Sequence, residues 1–445
     1  MSLDRIFKAY DVRGVYPDEL NEEAARRIGA AFAEFTGAPS IVLGRDCRLS
    51  SPPLAAAFTE GVTGRGVNVV DIGQATTDML YFASGVLRAP GAMFTASHNP
   101  PQYNGLKLCR AMAAPVGEDS GLMQVRDLAR GELPPTDARG TVETRAMLDP
   151  YVEHVLSFVD PDAIAPLTVV ADAANGMAGL VLRPVFERLP AKLIGLFLEL
   201  DGTFPNHPAD PIQPENQEDL KRAVTEHGAD IGLAFDGDAD RVFLVDQEAG
   251  GVSGSLVTAL VAQAMLEREP GGSVIHNLIC SWVVPEVIKE SGGTPIRTRV
   301  GHSFIKKVMA ETGAIFGGEH SGHYYFRDHY RADSGLIAAM VVLERLSRAG
   351  VPLSDLLEPF RRYEASGEIN TEVSDQAAAI ERAAGAFSDG SQDRLDGLTV
   401  EYEDWWFNLR ASNTEPLLRL NIEARGAELL EEKTRAVLDI IRRDA

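Results

Sequence analysis

Along most of this chain, short apolar and β-branched runs alternate with longer stretches whose apolar residues recur at helical spacing. That alternation leaves few folds open, because strands and helices taken in turn build α/β layers. Ile41-Val42-Leu43-Gly44 and Val67 to Ile72 read as buried strands, and Leu54 to Val62 reads as the helix between them. Leu167 to Asp172 predicts a strand running into the Gly-bearing turn Ala173 to Gly179 and then a helix. Ala229 to Asp246 predicts strand, acidic loop, strand, and the Gly-rich stretch Glu248 to Gly254 a turn or boundary. A third unit runs from Ser273 to about Phe360. The last segment differs: Leu398 to Tyr402 and Leu417 to Ile422 alternate as strands, and Ala427 to Arg442 closes the chain as a helix. At 445 residues one core is excluded, and two to four domains are expected. The expected units are 1–149, 150–248, 249–363 and 364–445. The first three are α/β and similar enough in size to be a diverged triplication; the last is a smaller α+β domain.

Composition narrows the function classes. With 45% hydrophobic and 24% charged residues, the chain is of ordinary globular type. A net charge of −23 argues against nucleic acid or an anionic membrane as the main partner. Cys47, Cys109 and Cys280 give neither a disulfide framework nor zinc spacing, which suits a reducing cytoplasm. Met1 to Arg5 lacks the apolar core of a secretory signal, and no apolar run is long enough to span a bilayer. The expected location is cytoplasmic.

Four loops carry chemistry. Asp236, Asp238 and Asp240 lie two apart, so in an extended segment all three carboxylates face one side. Such crowding calls for a cation, and hard oxygen ligands suit Mg²⁺ or Ca²⁺. The EF-hand pattern fails, because Arg241 and Gln247 stand where Gly and Glu are required. A solvated acidic turn is the alternative, but apolar flanks at Ile231 to Phe235 and Val242 to Val245 favour a metal site at a strand end. Ser97, in Thr95-Ala96-Ser97-His98-Asn99-Pro100, follows an apolar stretch and precedes a turn signal. It suits a nucleophile or phosphoacceptor, although on this hexapeptide alone a plain polar turn is the stronger reading. His98 is its chain neighbour, and Lys107 is a nearby cation or simply a surface lysine. Arg410-Ala411-Ser412-Asn413-Thr414 reads as a loop offering a guanidinium fork, hydroxyls and backbone N–H groups to a phosphate, or as a bland turn ended by Pro416. Gly318-Glu319-His320-Ser321-Gly322-His323 lacks the spacing for zinc and better suits sugar hydroxyls approaching between glycines.

Together these loops resemble, in order and over nearly the whole chain, the α-D-phosphohexomutase superfamily, most closely its bacterial phosphomannomutase/phosphoglucomutase members. The resemblance implies four domains around a central cleft, three sharing an α/β topology with mixed sheets and a smaller C-terminal α+β domain. It implies that Ser97 is the phosphoserine, and that Ser97, Asp236, Asp238 and Asp240 hold Mg²⁺. Lys107 and His98 would assist proton transfer, with Arg13 and Arg241 lining the same cavity. Tyr10, Gly301, His302, Glu319, Ser321 and His323 would contact the sugar, and Arg410, Ser412, Asn413 and Thr414 the phosphate that does not react.

The implied reaction interconverts hexose 1-phosphate and hexose 6-phosphate, of mannose or glucose, through a hexose 1,6-bisphosphate that also serves as activator. The expected partner is a small phosphosugar, bound by a monomer or weak dimer. A phosphoglucosamine mutase, a Mg²⁺-dependent sugar phosphatase and a silent sugar-phosphate binder are the alternatives. The last is motivated by Ile279, where relatives often carry Lys or Arg.

Overall fold

In the computed structural model, which describes residues 3–411 and 417–442, four sheets form. The apolar runs become buried strands: Ser40–Arg45, Asn68–Gln74 and Gly91–Phe94 lie parallel, and Tyr103–Arg110 pairs antiparallel with Gly91–Phe94. The second sheet repeats that pattern. Thr168–Asp172 is parallel to Lys192–Leu196 and Ile231–Phe235, and Val242–Asp246 pairs antiparallel with the latter. The third repeats it again, with Ser273–Asn277 parallel to Thr294–Thr298 and Phe316–Gly318, and Tyr324–Phe326 antiparallel at the edge. The fourth is antiparallel throughout, in the order Glu364–Glu372, Leu417–Ala424, Trp405–Ala411, Leu398–Glu401 and Ser391–Asp393.

This repetition positions the site. In each α/β unit one hairpin joins the last parallel strand to its antiparallel neighbour, and its tip lies where ladder hydrogen bonding stops. Ser97 is on the first tip, Asp236 to Asp240 on the second, and Glu319 to His323 on the third. Arg410 lies on the corresponding pair of the fourth sheet. The Gly-rich stretch after Asp246 is a turn: Gly251–Val252 folds back to pair with Val245 and Leu244.

Helices cover the sheets where their ends are satisfied. Glu22–Thr36 starts at Asn21, whose side chain accepts from the Ala24 N–H at 3.1 Å, and stops at Gly37 in the left-handed region. One continuous apolar core runs through all three α/β units, from Val42 and Met79 through Val169 and Phe235 to Val274 and Leu336. The fourth unit keeps a separate core around Trp405, Phe407, Leu420 and Val437. Three units therefore share one packed interior, while the fourth is docked through polar contacts. Glu423 accepts from the Trp282 N–H at 2.9 Å and from the Trp406 indole at 3.0 Å, and Arg297 reaches Asp393 and Glu401, each at 3.2 Å. Among the described residues, no helix is long and apolar enough to cross a membrane.

Candidate active site

Ser97 is held in the left-handed region at φ 49°, a conformation disfavoured for a residue with a Cβ. The loop around it is pinned by Arg48, whose guanidinium is fully buried. All five of its N–H groups are used: Nε donates to Asp46 at 3.1 Å, Nη1 to the carbonyls of Pro100 (2.8 Å) and Tyr103 (3.1 Å), and Nη2 to those of Ser97 (2.9 Å) and Asn99 (2.6 Å). Asp46 is held in turn by Ser51 at 2.5 Å. Arg13 adds a bond to the Ala96 carbonyl at 2.8 Å and contacts Asn99 and Asp11.

The second hairpin tip meets the first directly. The Ser97 hydroxyl donates to Asp236 at 2.8 Å, and Arg241 reaches that hydroxyl at 3.2 Å while donating to Asp236 at 2.9 Å. A Cβ on Gly237 would lie 2.4 Å from the Ser97 carbonyl oxygen, so only glycine permits this approach. The three carboxylates converge within 4.8 Å, but not on an extended segment as the spacing predicted. They sit on a tight turn, with Ala239 in the left-handed region and its N–H bonded to the Asp236 carbonyl at 3.1 Å. Curling of the chain, rather than strand alternation, brings them together.

All three aspartates are buried, and Lys107 supplies compensation at 2.7 Å from Asp238 and 2.6 Å from Asp240. Thr77 donates to Asp238 at 2.6 Å. Burial pushes Asp236 up to about 7, against the lowering by Arg241. At Asp238 burial is outweighed by Lys107, which holds the carboxyl well below its ordinary value. Desolvation of Lys107 is likewise outweighed by the two carboxylates, so the ammonium is retained far above its usual range. One oxygen each of Asp238 and Asp240 is buried without a hydrogen-bond partner. Orphaned carboxylate oxygens beside a serine hydroxyl form a hard, all-oxygen donor set, which fits a small divalent cation such as Mg²⁺.

His98 keeps an exposed edge but lies deep in the cleft. Desolvation there, followed by the charges of Arg241 and Arg13, lowers its pKa well below the ordinary value. Its ring is therefore neutral, with Nδ1 accepting from Arg241 and lying 3.2 Å from the Ser97 hydroxyl.

The third tip closes against the second, because Arg241 and His323 form a single β-bridge. His323 donates to Asp333 at 2.8 Å, and Lys306 lies 2.9 Å from the same carboxylate. Burial lowers the His323 pKa, but Asp240 and Asp333 reverse this and raise it. Buried Glu319 accepts from Tyr325 at 2.6 Å, Asn277 at 3.1 Å and the Gly301 N–H at 3.2 Å, which fixes its orientation. Gly301 has φ 126°, and a Cβ there would meet the Tyr10 hydroxyl at 2.8 Å. Tyr10 packs edge-on to His302 at 5.2 Å. Burial, then Lys306, holds His302 down to about 3. Ser321 is half-buried on the same tip.

Arg410 is inside the strand Trp405–Ala411, not in a loop as the sequence suggested, because the ladder with Leu417–Ala424 continues past the aromatic run. Its guanidinium lies 3.3 Å from Glu368 and 4.0 Å from Asp396, and Asp396 accepts from the Val300 N–H at 3.2 Å. Ser412, Asn413 and Thr414 lie outside the described residues. Ile279 is buried beside a cavity of about 200 Å³ shared with His320, Trp406 and Glu423. Sequence reasoning missed Arg48, Asp46, Thr77, Asp333, Lys306, Glu368 and Asp396. Only Arg45-Asp46-Cys47-Arg48, a charged run ending an apolar strand, left a signal.

Four family models match in series. They are the phosphoglucomutase/phosphomannomutase alpha/beta/alpha domains I, II and III at residues 4–128, 149–251 and 253–363, and the C-terminal domain at 368–440. The phosphohexose mutases of Xanthomonas campestris are 43% identical over 442 residues, covering 98% of this chain and 99% of the relative. The phosphomannomutase of Salmonella montevideo is 43% identical over 448 residues, covering 98% of both chains. A phosphoglucomutase/phosphomannomutase family protein from Burkholderia thailandensis has a crystal structure that superposes with a TM-score of 0.90. It is 35% identical and covers 100% of this chain and 99% of its own. The four matches follow the order of the four sheets along the chain, and the chain is a member of the phosphoglucomutase/phosphomannomutase family and an isomerase that moves phosphoryl groups on phosphosugars.

Proposed function

We propose that this enzyme interconverts the 1-phosphate and 6-phosphate of mannose or glucose through a phosphorylated Ser97 and a hexose 1,6-bisphosphate. The observation that carries the reading is the Ser97 hydroxyl, 2.8 Å from Asp236 and facing Arg241, beside carboxylate oxygens that lack partners. The phosphomannomutase relatives support the choice of hexose.

Asp236, Asp238, Asp240 and the Ser97 oxygen would hold Mg²⁺, which when bound offsets charge on the transferring phosphoryl group. Arg241 and Arg13 steady the phosphoryl oxygens, and Arg48 fixes the loop that carries them. In the first transfer the bond from Ser97 oxygen to phosphorus breaks as a sugar oxygen bonds to that phosphorus. Lys107, an ammonium, gives a proton to the departing Ser97 oxygen and is restored by the proton of the attacking sugar hydroxyl. Neutral His98, 3.2 Å from the Ser97 oxygen, assists that exchange. Glu319, Ser321 and His323 orient the ring hydroxyls, with Tyr10, Gly301 and His302 forming the adjoining wall. Arg410, with Ser412, Asn413 and Thr414, grips the phosphate that is not reacting. After the bisphosphate turns over, its other phosphoryl group returns to Ser97 and the proton returns to the sugar oxygen. The units at 1–149, 150–248, 249–363 and 364–445 each contribute one element of this cycle.

A coupled assay with mannose 1-phosphate and glucose 1-phosphate, with bisphosphate present, tests the proposal. Turnover is expected for the wild type and none for Ser97→Ala. Equal turnover by that variant, or net release of inorganic phosphate as the main product, overturns it.

A further inference from the structure

A cavity of about 1100 Å³ lies between the first and third α/β units, behind the wall formed by Tyr10. Ser97, the aspartate turn, Glu319, His323 and Arg410 do not line it. Its lining is cationic although the chain carries 65 acidic against 42 basic residues. Lys8, Arg110, Arg299, Lys307 and Arg331 all face it, and among the described residues none of the five is within ion-pair distance of a carboxylate. Glu118 and Asp119 are the acids on the lining, and neither forms an ion pair there. Five unneutralised cations gathered from four separate segments repel one another, so the arrangement is stabilised when an anion joins them.

Two further features point the same way. The helix His302–Thr312 begins beside the cavity with Ser303, and its N-cap, Gly301, has no side chain to satisfy the first turn. Arg331 is held at the lining by two successive left-handed residues, Tyr330 at φ 55° and Arg331 at φ 62°. Ala113, in the apolar cluster against which Tyr330 packs, and its neighbour Met112 form a second such pair at φ 55° and 62°. Left-handed backbone on this wall sets where Arg331 stands at the lining.

We infer that this cavity is a second anion site, built for a small phosphorylated molecule and separate from the catalytic cleft. Its volume suits a ligand of sugar-phosphate size or larger, and its separated cations suit more than one phosphate oxygen cluster. Tyr10 forms a wall of both spaces, and Arg299 and Lys307 flank Gly301 and His302 in sequence.

Calorimetric titration of the full chain with inorganic pyrophosphate tests the site. The wild type and Arg410→Ala, which disables the cleft's phosphate contact, are both expected to bind. The double variant Lys307→Glu/Arg331→Glu is expected to lose at least about tenfold in affinity. Lys307→Ala alone, which leaves the exposed helix face intact, is expected to lose about threefold and guards against misfolding of the double variant. Unchanged affinity in both cavity variants, or loss of all binding in Arg410→Ala, overturns the inference.

Discussion

Replacing Arg48 by Lys isolates what its fork contributes, because the charge beside Asp46 is retained. Five N–H groups serve five acceptors in the native loop. An ammonium offers at most three donors, and from one point, so two or more buried acceptors lose their partners. At about 1–3 kcal/mol for each unsatisfied buried group, the loss is roughly 2–6 kcal/mol. In a unit of this size that lowers the first thermal transition by roughly 5–20 °C. The chemistry suffers too, because four of the five acceptors are carbonyls of the segment from Ser97 to Tyr103. On the role proposed for Ser97, a displacement of its hydroxyl by about 1 Å costs on the order of 100-fold in kcat, while KM changes little. Scanning calorimetry and steady-state kinetics on the purified variant measure both effects. An Arg48→Lys enzyme that retains wild-type kcat and melts within about 2 °C of wild type refutes the idea that this fork holds the Ser97 loop.

Three other outcomes are expected. Asp238→Ala should lower kcat by at least about 100-fold with an unchanged circular dichroism spectrum, and chelation should silence the wild type until Mg²⁺ is restored; unfolding of the variant would make the cluster structural. Arg410→Ala should raise KM by about tenfold with kcat little changed, and an unchanged KM contradicts its contact with phosphate. Burial holds His276 down to about 4 from an ordinary 6.5. Between those values the folded state binds fewer protons than the unfolded one, so stability is complete above pH 6.5 and falls as pH drops toward 4, by up to about 3 kcal/mol. His276→Gln should flatten that part of a melting-temperature profile, and an identical slope would count against it.

The α/β strands were legible because each is a short apolar run bounded by turn signals, and the aspartate turn stood out by its crowding. The geometry of that turn was not legible. Spacing alone suggests an extended strand, whereas the left-handed Ala239 curls the carboxylates together. Arg48 was passed over because an Asp-x-Arg pair looks like surface charge until its burial is known, and burial comes from the second unit packing over it, with Phe204 at 5.0 Å. Glu368 and Asp396 were invisible for a related reason: isolated acids gain meaning only when a strand brings Arg410 between them. Contacts between units carry no periodicity, so what they assemble is read from coordinates.

The hydrogen bond from Ser97 to Asp236 spans 139 positions of chain. A ribosome delivers the serine long before the aspartates, and part of the first unit's core, around Ile28, Phe58 and Phe94, is closed within that unit. During that interval Ser97 exists without its acidic partner. The phosphoserine chemistry proposed above therefore waits for the second unit to dock, and depends on completion of the fold rather than on its beginning.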